Sequence, residues 1–300
     1  MSLISLKTIL IICPLVFLAG LIDAIAGGGA LISIPAYLIA GIPIHSAIAT
    51  NKLSASFGAS ICAVRFIKNR MIKFKLGVPS VVSAIAGSMI GANLSMRIDS
   101  AIMMKVLVVI LPLNVFLIMN KKIFHDYSCD QLTFEPRTFV IAIMVAFIIG
   151  IYDGFFGPGA GTFTIIGFNV FAKMSIKNAN AQTKLINFTT TITALIVFLS
   201  HGQVMIPLGI AAGICNLLGS FIGSGGNADR NVAACHKNSG CVLTIDVPLS
   251  YSFCTLLSRQ TVSTCTVFGN MSTHLTFSTR YPALINASRS LARLVGLQEM

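Results

Sequence analysis

The sequence is poor in charged side chains. Charged residues account for 10% of its 300 residues, whereas a soluble domain carries about a quarter, and apolar residues account for 55%. Apolar runs of roughly twenty residues follow one another between short polar gaps, as membrane-spanning helices require. A soluble α/β enzyme, with buried strands of about 4–8 residues between amphipathic helices, is excluded. We therefore predict an all-α, polytopic membrane helical bundle.

Enzyme motifs are also lacking. The stretch GPGAG at residues 157–161 has no Walker lysine, and GGG at residues 27–29 lacks the strand, the spacing and the acidic partner of a dinucleotide site. The histidines His45, His125 and His201 are scattered, which favours ordinary interface roles over metal ligation. A membrane-embedded enzyme would need a catalytic dyad or a metal cluster, and the sequence offers neither. We predict no catalytic residue, no metal, no cofactor and no enzymatic activity.

Acidic residues are outnumbered, 9 against 21 basic ones, which gives a net charge of +12. The basic residues lie in short loops such as RFIKNRMIKFK at residues 65–75, so they indicate membrane orientation and not nucleic-acid binding. Placing this loop in the cytoplasm puts the basic residues of 121–137 and of 173–177 there too. Arg97 and the charge-free GQVMIP at residues 202–207 are then outside, as is the N-terminus.

Most of the apolar sequence belongs to an internal repeat. GLIDAIAGGGA, from Gly20, recurs as GIYDGFFGPGA, from Gly150, and AIATNKLSAS at residues 47–56 recurs as ANAQTKLINF at residues 179–188. GSMIG at residues 87–91 then matches GSFIG at residues 219–223. The N-terminus resembles a cleavable signal peptide, but a segment that recurs in mid-chain has a role in the fold. We expect it to be retained.

Each copy is predicted to contain several helices, and the second helix of each is too short to cross about 30 Å of hydrocarbon at 1.5 Å per residue. These short segments should be broken or re-entrant helices. The first copy then crosses the membrane an odd number of times, so the second copy runs upside down. The predicted helical segments are residues 6–26, 30–42, 46–67, 76–96, 101–119, 138–156, 161–172, 179–200 and 207–224.

Inverted repeats with broken helices place a solute site near the bilayer midplane, at the glycine breaks. Helix N-termini that point into such a site favour anions. Lysines at membrane depth cost roughly 2.5–3.5 kcal/mol on insertion scales, which also suggests an anionic solute. The predicted substrate-binding residues are Gly27, Gly28, Gly29, Asn51, Lys52, Gly157, Gly159, Gly161, Thr183 and Lys184.

The aspartates Asp23 and Asp153 do not fit a simple anion site, because a carboxylate repels an anion. They are interpreted as structural or coupling carboxylates, which accept hydrogen bonds from the broken loops, neutralise Lys52 and Lys184, or take up a proton. Pairing with these aspartates, or snorkelling to a headgroup, is also the alternative role of each lysine. Other polar residues after the breaks either line the site or act as membrane helix glue. They are Ser54, Ser56, Asn187, Thr190 and Thr191.

The paired motif resembles that of the TauE/SafE sulfite exporter family, also called TSUP or DUF81 transporters. Its signatures here are GxxDxxxGxG with ATNKL, and GxxDxxxGPGxG with AQTKL, and the resemblance covers roughly residues 8–225. It implies a bacterial inner-membrane permease of two four-helix repeats that moves sulfite, sulfonates or related small organic anions. The glycine breaks and the motifs around Lys52 and Lys184 would then form the central site.

The end of the chain departs from this pattern, because no partner to the apolar segment 101–119 follows residue 224. Half of the eight cysteines lie in this tail, whereas Cys13, Cys62 and Cys215 lie in apolar runs as small hydrophobic residues. We expect a disordered or aberrant tail produced by a frameshift, which would leave the last helix missing. The alternative is a small domain that binds a metal through Cys235, His236 and Cys241.

The predicted organisation is a first transmembrane repeat at residues 1–120, a cytoplasmic linker at 121–137, a second repeat at 138–224 and an atypical tail at 225–300. The predicted function is a secondary transporter of a small anion by alternating access. Its predicted partners are the lipid bilayer and the small anionic solute, with no nucleic acid, and the sequence does not determine the oligomeric state. The alternatives are a cation- or proton-coupled importer that uses Asp23 and Asp153, and a non-functional truncated transporter.

Overall fold

The computed structural model describes residues 6–119 and 136–224, which lie in one compact unit, Met1–Ser250. Within these two ranges the chain forms nine α-helices and no strand. They are α1 (Leu6–Ala26), α2 (Ala30–Ile39), α3 (Ile44–Lys68), α4 (Phe74–Arg97), α5 (Ser100–Met119), α6 (Pro136–Phe155), α7 (Ala160–Val170), α8 (Ile176–Ser200) and α9 (Ile206–Gly223).

The all-α membrane architecture predicted from the sequence is confirmed. Five of the described helices, α1, α4, α6, α8 and α9, are long and apolar enough to cross a membrane. Every predicted helix end falls within three residues of the observed one. The largest differences are at the end of α2, which is shorter than predicted, and at the start of α8, which begins earlier. Most of the predicted linker and the whole predicted tail lie outside the described residues.

Glycines with positive φ end the first helix of each copy. Gly27, at φ +82°, follows α1, and Gly157, at φ +99°, follows α6. Side chains other than glycine rarely adopt this region of backbone space, so the chain leaves the helix at these points. The next helix begins within a few residues, and α2 and α7 have only 10 and 11 residues. The prediction of short helices after the glycine motifs is confirmed.

Helix α3 lies inside the bundle, in contact with α1, α2, α5, α8 and α9. Its central polar residues are almost completely buried: Thr50, Asn51, Lys52 and Ser54 are each 3% exposed or less. Thr50 accepts the Met205 N–H, just before α9, at 3.1 Å, and Ser54 accepts the hydroxyl of Tyr37, on α2, at 2.9 Å. The polar content of α3 is therefore turned towards protein and away from lipid.

The closest helix pairs are α1 with α9 and α4 with α6, and both pairs meet at glycines. A Cβ on Gly219 would lie 2.0 Å from the Phe17 carbonyl oxygen, and a Cβ on Gly87 would lie 2.3 Å from that of Phe147. These distances leave no space for a methyl group, so both glycines are required for close packing. The small-xxx-small spacing of Gly87/Gly91 and of Gly219/Gly223 thus permits tight helix crossings.

These contacts correspond between the two sequence copies. Gly87 and Gly219 are equivalent in the repeat, as are Phe147 and Phe17, so each first helix packs on the fourth helix of the other copy. The third helices, α3 and α8, are antiparallel: the start of α3 contacts the end of α8, where the Ser46 hydroxyl donates to Gln203 at 3.4 Å. The opposite insertion of the copies in a bilayer stays a prediction.

Candidate functional site

The two glycine breaks, at residues 27–29 and 157–161, touch each other through their backbones. A Cβ on Gly27 would lie 3.1 Å from the carbonyl carbon and Cα of Gly161, and a Cβ on Gly161 would lie 2.5 Å from the Gly27 carbonyl oxygen. Both residues are buried. Because neither position has room for a side chain, the contact depends on glycine at both. The start of α7 therefore lies directly against the break that follows α1.

A buried ion pair lies beside this contact. The Lys52 ammonium, on α3, donates to Asp153 Oδ1, near the end of α6, at 2.8 Å, and the two side chains are 4% and 5% exposed. A buried lysine without a partner is costly, and the carboxylate offsets much of that cost. A Cβ on Gly157 would lie 3.1 Å from Lys52 Nζ, so the second break leaves space for the lysine head group.

The equivalent pair of the other copy is arranged differently. Lys184, on α8, is 2% exposed and donates to the backbone carbonyl of Asp23 instead of its carboxylate. The Asp23 carboxylate accepts the Gly29 N–H at 3.2 Å, and the residue is only half-buried. Asp23 thus bonds to the broken loop of its own copy, while its main chain holds the lysine of the other copy.

A small polar cavity of about 30 Å³ lies at the junction of the breaks. That volume holds about two water molecules. Asp23 and Asp153 contribute carboxylates to its wall, and Lys52 is the single cation among the lining residues that the structure describes. The lining residues are Asp23, Gly27, Gly29, Ala30, Ser33, Asn51, Lys52, Ala55, Ala59, Asp153, Gly157, Gly161, Asn187, Thr191 and Asn216.

The structure brings most of the residues predicted for the site together at this cavity. Four of them do not line it. The Thr183 hydroxyl donates to the Ala179 carbonyl one turn back on its own helix, at 2.8 Å, and Lys184 is turned to the Asp23 carbonyl. Gly28 and Gly159 belong to the breaks but are not among the lining residues. The binding role of the whole set stays a prediction.

Sequence reasoning overlooked Ser33 and Asn216, which both line the cavity. Asn216 is 6% exposed and its Oδ1 accepts the Ser220 hydroxyl at 3.3 Å. The only sequence signal for Asn216 was that it is a lone amide side chain in the apolar run of α9. The equivalent position in the other copy is Ala84, so comparison of the repeats did not draw attention to it.

Asn114, on α5, was also overlooked, and it supports the second break without lining the cavity. Its amide donates to the Pro158 carbonyl at 3.4 Å and to the Ile110 carbonyl at 3.0 Å. The Tyr152 hydroxyl donates to the same Pro158 carbonyl. Two side chains from different helices therefore hold the main chain of this break.

No cluster of three or more His, Cys, Asp or Glu residues suited to a metal ion occurs in residues 6–119 and 136–224. The cysteines of these ranges, Cys13, Cys62 and Cys215, are free thiols. The candidate metal ligands Cys235, His236 and Cys241 lie outside the described part of the chain. The chemistry available at the cavity is thus that of an ion pair, hydroxyls, amides and backbone groups.

Comparison with known proteins identifies similar sequences. A protein-family model described as Sulfite exporter TauE/SafE matches residues 12–231. The probable membrane transporter protein ORF9 of Sinorhizobium sp is 35% identical over 212 residues, which cover 69% of this chain and 78% of the relative. The probable membrane transporter protein of Haemophilus influenzae is 33% identical over 215 residues, with coverages of 69% and 80%. The probable membrane transporter protein YfcA of Escherichia coli K12 is 31% identical over 208 residues, with coverages of 69% and 74%. No solved structure matches the chain significantly.

Proposed function

Because this chain belongs to the TauE/SafE sulfite exporter family and forms a multi-pass membrane protein, we propose that it is a secondary transporter of a small anion. The observation that carries the proposal is the buried lysine ammonium of Lys52 at the wall of a polar cavity between two broken helices. Sulfite, a sulfonate or a related organic acid is the proposed class of solute. The proposed localisation is the bacterial inner membrane, with the N-terminus outside.

The polar groups at the cavity support an anionic solute. Besides Lys52, the residues that line the wall include Asn51, Asn187 and Thr191, and Ser33, whose hydroxyl donates to the Gly29 carbonyl at 3.3 Å. Gly29 and Gly161 place the beginnings of α2 and α7 at the same wall, and the first N–H groups of a helix attract negative charge. These donors surround one small volume. An anion with several oxygen atoms can accept hydrogen bonds from more than one of them.

The contacts between the two copies support alternating access. The Met205 N–H donates to Thr50 at one end of the α3–α8 pair, and the Gln182 amide donates to the Lys73 carbonyl at the other end. Thr50 and Gln182 are equivalent in the repeat, as are Lys73 and Met205. The two ends of the α3–α8 pair thus carry equivalent contacts, which supports an exchange between two openings related by a pseudo-two-fold axis. The cavity of about 30 Å³ must widen before a sulfonate enters.

Flux into proteoliposomes tests the proposal. The purified chain is reconstituted, and uptake of labelled sulfite, sulfoacetate and alanine is measured against liposomes without protein. We expect saturable uptake of at least one of the two anions and none of the zwitterion. Uptake of neither anion would contradict the proposal and would favour the non-functional alternative.

A pair of lysine variants tests the role of the cavity. Lys52→Ala removes the buried cation, and we expect the anion flux to fall by at least tenfold, because roughly 1.4 kcal/mol of lost binding already corresponds to that factor. Lys75→Ala is the matched control, since Lys75 is an exposed lysine at the start of α4. Equal flux in Lys52→Ala and in the control would remove Lys52 from the site.

A further inference from the structure

The charges of the protein's own side chains around the cavity balance. Lys52 and Lys184 supply two positive charges, and Asp153 and Asp23 supply two negative charges, all buried or half-buried around one junction. An anion that enters adds a negative charge that none of these four groups neutralises. A net buried charge in a membrane protein is expensive, so the loaded state needs a further positive charge.

One carboxylate oxygen of Asp153 can accept a proton, which would supply that positive charge. Its Oδ1 is bonded to Lys52, but its Oδ2 is buried and has no hydrogen-bond partner in the described structure. The residue is 4% exposed and lines the cavity. A buried carboxylate oxygen without a donor loses its hydration and gains nothing in return. Asp23 differs, because its carboxylate accepts the Gly29 N–H and is half-buried.

Lys52 has to serve two acceptors when an anion is present. It is the one described cation at the cavity wall, and its ammonium is bonded to Asp153. An anion that takes the lysine leaves the Asp153 carboxylate buried with no cation beside it. One proton on Asp153 Oδ2 would remove this unpaired charge.

Among the described elements packed against α6, no other titratable group takes over the role of proton acceptor. Helix α7 has none, and those of α4 lie at its exposed ends. The remaining groups are Lys52 and Asp23 at the cavity, Lys184 on the Asp23 carbonyl, Tyr152 on the Pro158 carbonyl, and Lys177 and Arg137 at exposed helix starts.

We propose that each anion travels with one proton, which Asp153 carries. The anion replaces Asp153 as the partner of Lys52, and Asp153 Oδ2 takes a proton from water on the side where the cavity is open. On the opposite side the anion leaves, the proton returns to water, and Lys52 bonds to Asp153 again. The proposal concerns anions of one negative charge, and it rests on the anion transport proposed above.

Anion accumulation in proteoliposomes tests the proposal. The probe is methanesulfonate, a sulfonate that has one negative charge and takes up no proton near neutral pH, with the membrane potential clamped at zero by potassium and valinomycin. A gradient of one pH unit, acid outside, should drive a steady-state accumulation of about tenfold, because one proton moving through one pH unit is worth about 1.4 kcal/mol. A dye inside the vesicles should report acidification during uptake.

Two amide variants locate the proton. In Asp153→Asn the accumulation ratio should fall to about one, however slow the flux becomes, since this ratio depends on stoichiometry and not on rate. In the matched variant Asp99→Asn, at an exposed aspartate just before α5, the ratio should stay near the wild-type value. Should Asp153→Asn fail to fold, Asp153→Glu keeps a proton acceptor and should retain the wild-type ratio.

The outcomes separate the two proposals. No flux of methanesulfonate, sulfite or sulfoacetate in the wild type contradicts anion transport itself, and flux of the last two without methanesulfonate overturns the coupled transport of a singly charged anion. Methanesulfonate flux with an accumulation ratio of one leaves anion transport standing and overturns proton coupling. A wild-type ratio that survives in Asp153→Asn, or one that disappears in Asp99→Asn or Asp153→Glu, overturns Asp153 as the proton carrier.

Discussion

The two copies of the repeat carry the same lysine and the same aspartate, yet they use them in different ways. Lys52 of the first copy bonds to the carboxylate of Asp153 at 2.8 Å, whereas Lys184 of the second copy bonds to the main-chain carbonyl of Asp23. The first pair lines the cavity, and the second has only its aspartate there. An ion pair can exchange one charged partner for another, while a bond to a backbone carbonyl holds two helices in place. Equivalent residues thus form an ion pair that can change partners in one case and a fixed bond to a main-chain carbonyl in the other.

Removing Lys52 should have the largest effect on stability. Lys52→Met leaves the Asp153 carboxylate buried without a cation, and we expect the free energy of unfolding to fall by about 3–5 kcal/mol. Urea titration in detergent micelles measures this change. The double variant Lys52→Met/Asp153→Leu should recover most of it, because the buried charge is removed together with its partner. A double variant no more stable than Lys52→Met would mean that the pair does not act as a unit.

Removing Lys184 should cost less. Lys184→Met deletes a charge-assisted hydrogen bond to a carbonyl and leaves no unpaired carboxylate at that point, so we expect a loss of about 1.5–3 kcal/mol in the same titration. The comparison with Lys52→Met is made in matched micelles. A loss as large as that of Lys52→Met would show that Lys184 also neutralises Asp23 across space.

The steric cost of a side chain at the contact between the breaks can be measured separately from the cost of a left-handed backbone. Gly27 and Gly41 have almost the same φ, +82° and +81°, but a Cβ on Gly41 would meet nothing within 4 Å, and one on Gly27 would lie against Gly161. Gly41→Ala should cost about 1–2 kcal/mol of unfolding free energy from its left-handed backbone alone. Gly27→Ala should cost more than this, by the amount of the steric contact. Equal losses would show that the breaks separate easily.

Asp23→Asn should have the smallest effect on stability. The amide oxygen still accepts the Gly29 N–H, and Lys184 keeps its bond to the Asp23 main chain, so we expect a change in unfolding free energy below about 1 kcal/mol. Asp153→Asn, which weakens the Lys52 pair, should cost several times more. The same urea titration compares the two. A reversal of this order would place the exchangeable contact in the other copy.

Much of the fold was predictable because the membrane makes deviations costly. Glycine clusters weaken a helix and lysines inside apolar runs are costly in a membrane, so the breaks and the segments around Lys52 and Lys184 stood out. The different use of the two lysines was not predictable, because the motifs that surround them are nearly the same. Asn216 and Ser33 were missed because single polar residues are common in membrane helices, where they bond to neighbouring helices.

The backbone contact between Gly27 and Gly161 bears on how fast this protein can work. Rotating a side chain cannot open a passage there, since the obstructing atoms belong to the main chain of two helix ends. Under the proposed transport, a solute that crosses this contact needs whole helices to shift, and such collective motions take microseconds to milliseconds. These times limit the expected turnover to about 10³–10⁶ ions per second.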